Sequence, residues 1–224
     1  GNERIVDLLG PGLQGGARLD LATPGFSLFA FAELASALQG LKEVRLILPP
    51  VAQDLSLLGT PSDRVARNRL QTRWLARYCA RWLTDKVEIR RAPAAVPQGA
   101  VIVRDKAGEP QQGILGSFAF TTDGLGVTPG NPLSLIQAAE SPAESRYLAA
   151  WFDAQWNALT AEPDAGVSLV RELESLAAHR GPLSVYAQIL YHLFRDRAGE
   201  LDEDRIVNSA TGIRDTRVWQ KLYR

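Results

Sequence analysis

Short apolar runs, spaced one helix apart, limit what this chain can fold into more than any other feature. Residues 17–22 (ARLDLA) alternate as a half-buried strand does, and Thr23-Pro24-Gly25 breaks the run. Residues 28–38 carry helical periodicity, and residues 44–48 (VRLIL) form a second short apolar run closed by Pro49-Pro50. Strand, helix and strand at this spacing predict a parallel βαβ unit, because parallel neighbours need a crossover that returns the chain to the same end of the sheet.

The pattern continues toward the middle of the chain. Thr60-Pro61-Ser62-Asp63 offers capping chemistry ahead of a long helix over 63–84, and residues 87–91 read as the next strand. After a proline-bearing connection over 92–99, residues 101–104 and 113–116 read as two strands joined by a turn through 106–112. Residues 133–136 are a further strand candidate. Beyond Ser141-Pro142 the text changes: 143–159, 166–178 and 182–197 read as helices, and no strand pattern remains. These signals predict an α/β domain over 1–140 followed by a helical segment over 141–224.

Composition fits a globular protein. Of 224 residues, 46% are hydrophobic and 22% charged, enough apolar surface for a core and too little net charge for disorder. No apolar run approaches the roughly 18–20 residues of a membrane span, and the opening GNERIVDLLG lacks a basic flank leading to a long apolar stretch. A cytoplasmic protein with no membrane partner is expected. Gly10-Pro11-Gly12 and Gly15-Gly16 have no Lys-Ser/Thr after them, so they read as a flexible lead-in and not as a phosphate loop. Cys79 is the sole cysteine and sits among Trp74, Leu75, Tyr78 and Trp82 at helical spacing, where a buried thiol is expected. Neither histidine, His179 nor His192, stands at a metal-binding spacing, and no metal or other cofactor is expected.

One stretch carries chemistry by what it lacks. Residues 97–125 read PQGAVIVRDKAGEPQQGILGSFAFTTDGL. An apolar run leads to Asp105, a polar turn follows, and a second apolar step ends in Gly116-Ser117 ahead of Gly124-Leu125. This resembles the phospholipase D-like superfamily, whose signature is HxKxxxxD, then a strand ending in GSxN, then a GL turn. Asp105, Gly116, Ser117, Gly124 and Leu125 fit that register. The His position is Gln98, the Lys position Ala100 and the Asn position Ala119. As the resemblance implies, the His attacks phosphorus, the Lys and Asn neutralise phosphoryl charge, and the Asp orients the His. Glutamine is no nucleophile and alanine supplies no charge. Losing one essential member of a catalytic unit can cost on the order of 10⁶-fold in rate, and three positions differ here. Asp105-Lys106-Ala107-Gly108 is also good turn chemistry in its own right.

The resemblance extends to both flanks. The segment RLDLATPGFSLFAFAELASALQGLKEVRLILP, with its Gly25-Phe26 turn, is similar to the opening of the phospholipase D-like domains that precede Swi/Snf-type helicases in bacteria. Gly124-Leu125 followed by Asn131 is similar to the family's GL…N.E segment, whose Glu would fall at Leu133. The ending TGIRDTRVWQKLYR looks like the run-in to a helicase motor, although no GxxxxGK[ST] occurs. The resemblance therefore implies an α/β fold with a phospholipase D-like mixed sheet flanked by helices. It further implies a catalytically inactive accessory domain whose partners are DNA and a helicase motor in the same polypeptide.

The formal net charge is zero, so any pull toward nucleic acid must be local. Arg69, Arg73, Arg77 and Arg81 repeat every fourth residue and line one face of the long predicted helix. Such a row can contact backbone phosphates. It can equally be a solvated face paired with acidic residues downstream, among them Glu140, Glu144, Asp153, Glu172 and Glu174. Trp74, Tyr78 and Trp82 repeat on the adjoining face, where a place in the core is expected. Three functions are open at this point: DNA binding by an inactive domain, a protein-interaction or homodimerisation module, and a phosphodiesterase or nuclease built around Asp105 and Ser117.

Overall fold

The computed structural model describes residues 4–59, 63, 69–161 and 164–178. The predicted helix over 182–197, both histidines and the capping residues 60–62 lie outside them. So does the ending over 211–224.

A six-stranded mixed sheet organises the described residues, in the order β3-β2-β1-β4-β5-β6. The elements run α1 (Ile5–Leu9), β1 (Arg18–Ala22), α2 (Leu28–Gly40), β2 (Glu43–Leu48), α3 (Arg69–Lys86), β3 (Val87–Arg91), β4 (Gly99–Arg104), β5 (Pro110–Gly116), β6 (Ile136–Ala138), α4 (Pro142–Ala158) and α5 (Val167–Ala178). β1, β2 and β3 are parallel, and β4, β5 and β6 continue the sheet antiparallel from β1. The βαβ expectation from the first fifty residues therefore holds in β1-α2-β2.

Local chemistry sets these boundaries. Ser27 caps α2, its Oγ accepting from the Phe29 and Ala30 N–H groups at 3.1 and 3.4 Å. Ser141 caps α4 by accepting from the Glu144 N–H, with Pro142 in the first turn, where a missing N–H costs nothing. The Lys86 ammonium donates to the Gln39 and Leu41 carbonyls, both at 2.8 Å, and so closes the end of α2.

The sheet buries both faces. Leu19, Leu21, Val44, Leu46, Ile89, Val101, Val103 and Ile114 pack with Phe31, Leu34 and Leu38 of α2 and Ala76, Cys79 and Leu83 of α3. Leu169 and Leu173 of α5 join the same cluster, and α5 lies along α3. The opposite face is smaller: Ala22, Ile47, Ala100 and Ile102 meet Ala149, Phe152 and Trp156 of α4. Central strands buried on both sides read as near-continuous apolar runs, which is why β4 was plain in the sequence. Cys79 is fully buried, and burial pushes its thiol pKa up.

Two expectations change. The glycine-rich start is not a loose lead-in, because Ile5, Leu9 and Leu13 are buried in the main core and the Gly16 N–H donates to the Gly40 carbonyl. The strand predicted over 133–136 sits at Ile136–Ala138 instead. An Asx turn displaces it: Asn131 Oδ1 accepts from the Leu133 N–H and the Asn131 carbonyl from the Ser134 N–H. The compact unit that holds the sheet runs Gly1–His179 and includes α4 and α5. The change of text near residue 140 is the passage from strands to the helices that cover them.

Candidate functional site

The motif positions fall on the β4–β5 hairpin. Gly99 pairs with Gly116 and Ala100 with Leu115, so Gln98 and Ser117 stand at the same open end of the hairpin. Both are exposed. Ala100 is fully buried under α4, and Ala119 lies half-buried against Gly25. These positions come together, but as an amide, a hydroxyl and two methyl groups.

Asp105 does not join them. It sits at the far end of β4, seven residues from Gln98 and thus roughly 23 Å away along the strand. It cannot orient a group at position 98. Its carboxylate instead closes the hairpin turn, accepting from the Ala107 and Glu109 N–H groups at 2.9 Å each and from Gln111 Nε2 at 2.9 Å. The Glu109 N–H, foremost among these donors, holds the Asp105 carboxyl below its ordinary range, although burial opposes it.

The glycines of the motif are explained by close backbone approach. A Cβ on Gly116 would lie 2.3 Å from the Leu135 carbonyl oxygen and 2.8 Å from Ile136 Cα, where β6 begins its pairing. A Cβ on Gly124 would lie 2.2 Å from the Ala119 carbonyl oxygen. Gly116→Ala is expected to destabilise the chain by about 1–3 kcal/mol, the usual cost of overpacking. A urea titration that leaves the midpoint unchanged would contradict the tight crossing.

On the α4 side of the sheet lies a charged cluster that the sequence did not suggest. Asp20 of β1 is 1% exposed. It accepts from Arg45 Nε and Nη2 at 2.7 and 2.8 Å and from Arg104 Nε at 2.6 Å. Asp153 of α4 closes the set, its Oδ1 accepting from Arg45 Nη2 at 2.7 Å and Arg104 Nη2 at 3.0 Å. The Arg45 guanidinium also lies over the Phe152 and Trp156 rings at 5.1 and 5.5 Å. Burial pulls its pKa down, but its bonds to Asp20 and Asp153 outweigh burial and raise it. The adjoining cavity, about 180 Å³, is lined by Arg18, Arg45 and Arg104 against Asp20, Glu43 and Asp153. Three cations face three carboxylates, so the cavity has no surplus charge for an anion or a metal. Among the described residues no group of three or more His, Cys, Asp or Glu is placed to hold a metal ion. The available signal was a charge at an inward position of an apolar strand, in RLDLA and again in VRLIL.

The basic helix is α3. Arg77 and Arg81 are exposed and Arg73 half-buried; Arg69 opens the helix, its side chain outside the described residues. None of Arg73, Arg77 and Arg81 is in an ion pair among the described residues. Three of the five acidic residues expected to neutralise them are engaged elsewhere: Asp153 with Arg45 and Arg104, Glu144 with the Glu140 N–H, and Glu172 beside Arg91. The aromatic row divides as well. Trp82 is buried and Tyr78 half-buried, but Trp74 is 58% exposed, contrary to the core place its spacing suggested. The buried face of α3 centres on Ala76, Cys79 and Leu83, and Trp74 lies on the opposite side of the helical wheel.

No helix among the described residues is long and apolar enough to cross a membrane. Compared with known proteins, the chain matches no family model and no curated relative.

Proposed function

We propose that this chain is a catalytically inactive, phospholipase D-like accessory domain of a DNA helicase, contributing DNA binding through α3. The observation that carries the proposal is the arginine row on α3, turned to solvent at Arg77 and Arg81, neither of which has a carboxylate partner among the described residues. The hairpin that would hold phosphodiesterase machinery presents Gln98, Ala100 and Ala119 instead, and its Asp105 closes a turn. A phosphodiesterase or nuclease working through Asp105 and Ser117 is disfavoured for the same reason: the two lie at opposite ends of the hairpin.

A homodimer or protein-interaction module is the second reading. It is favoured by Leu133 and Leu135, 88% and 78% exposed just before β6, which is an edge strand of the sheet.

Fluorescence anisotropy of a labelled DNA duplex, a generic phosphodiester turnover assay and light scattering on the same sample separate these readings. The expected result is DNA binding at low salt with no turnover. A dimer that ignores DNA would favour the interaction module. Turnover that disappears in Asp105→Ala would overturn the inactive reading.

A further inference from the structure

The α3 surface combines the exposed Arg77 and Arg81 with an exposed aromatic ring, Trp74. Trp74 stacks on Tyr78, ring centroids 5.0 Å apart and planes 18° apart. Tyr78 in turn meets buried Phe31 edge-on at 5.6 Å, so the outer ring is held from below by the core. Arg81 lies two helical turns along from Trp74 on the same stripe, and Arg77 lies one turn along beside it. The result is a large flat apolar ring, fixed in orientation, with cations spaced along one side.

We infer that Trp74 is a stacking site for an unpaired base, and that the α3 surface takes single-stranded nucleic acid in preference to duplex. This rests on the DNA-binding reading above and names its substrate class. Bases within a duplex are stacked on one another and offer no free face, whereas an unpaired base can stack on an indole regardless of sequence. The arginines supply the phosphate contacts that both forms of nucleic acid share. A partner protein docking on the same ring would need carboxylates to meet Arg77 and Arg81, and it would leave no preference between strand forms.

The test compares labelled oligo-dT with a duplex of equal length, for the wild-type chain, Trp74→Ala and Trp74→Phe. Trp74 is largely outside the core, so its removal leaves the fold in place, which circular dichroism checks. The expected wild-type preference for oligo-dT is about 5- to 150-fold, the range one base–aromatic stack supplies. Trp74→Ala is expected to lower oligo-dT affinity to that of the duplex and so abolish the preference, and Trp74→Phe to restore part of it. Equal affinity for both forms, or a preference that survives Trp74→Ala, overturns the stacking site while the DNA-binding reading stands. Failure to bind either form overturns both.

Discussion

Asp20→Ala is expected to destabilise the chain by about 3–5 kcal/mol, enough to threaten folding of an ordinary domain. Asp20 is buried beneath α4 and is the shared acceptor for two guanidinium groups, from Arg45 of β2 and Arg104 of β4. Removing it leaves two largely buried cations with only Asp153 between them, and that residue is 42% exposed. The cost comes from the uncompensated charge more than from the lost bonds. Asp153→Ala should cost less, because water can reach the space it vacates. Urea unfolding of the two variants checks the ordering. A chain in which Asp20→Ala is no worse than Asp153→Ala would mean that the cluster is peripheral to stability.

How much of this could be seen in the sequence depends on how local each feature is. β1, α2 and β2 were legible because each carries its own periodicity and is punctuated by Thr23-Pro24-Gly25 and Pro49-Pro50. β3 was predicted over 87–91 and lies at Val87–Arg91. The Asp20 cluster was not legible, since its partners are 25 and 84 residues away along the chain and meet only through sheet pairing. That positions 98, 100 and 119 carry Gln, Ala and Ala, where the proposed family has His, Lys and Asn, was plain at once, because residue identity is what a sequence states directly. The separation of Asp105 from Gln98 was not, because it needs the extended geometry of β4. Trp74 misled for a related reason. Helical spacing placed it in one row with Tyr78 and Trp82, but which part of that row is buried depends on where α2 and α5 lie against α3.

Arg77→Glu combined with Arg81→Glu is the second large effect expected. Both side chains are exposed, so the pair should leave stability within the range of ordinary surface changes. Each arginine that contacts a phosphate releases counterions on binding, so two lost contacts should flatten the salt dependence by about two units of slope. Reversing the charge adds repulsion to that loss, and affinity at low salt should fall by roughly tenfold or more. Arg73 is half-buried, which makes it the weaker choice for such a test.

The most direct measurement is therefore a salt titration. DNA affinity would be followed from about 50 to 200 mM salt for the wild-type chain and for the Arg77→Glu/Arg81→Glu variant. A steep loss of affinity in the wild type, with a weaker and flatter dependence in the variant, is the result expected if α3 is the nucleic-acid interface. Wild-type affinity that does not change with salt, or a variant indistinguishable from wild type, would contradict it.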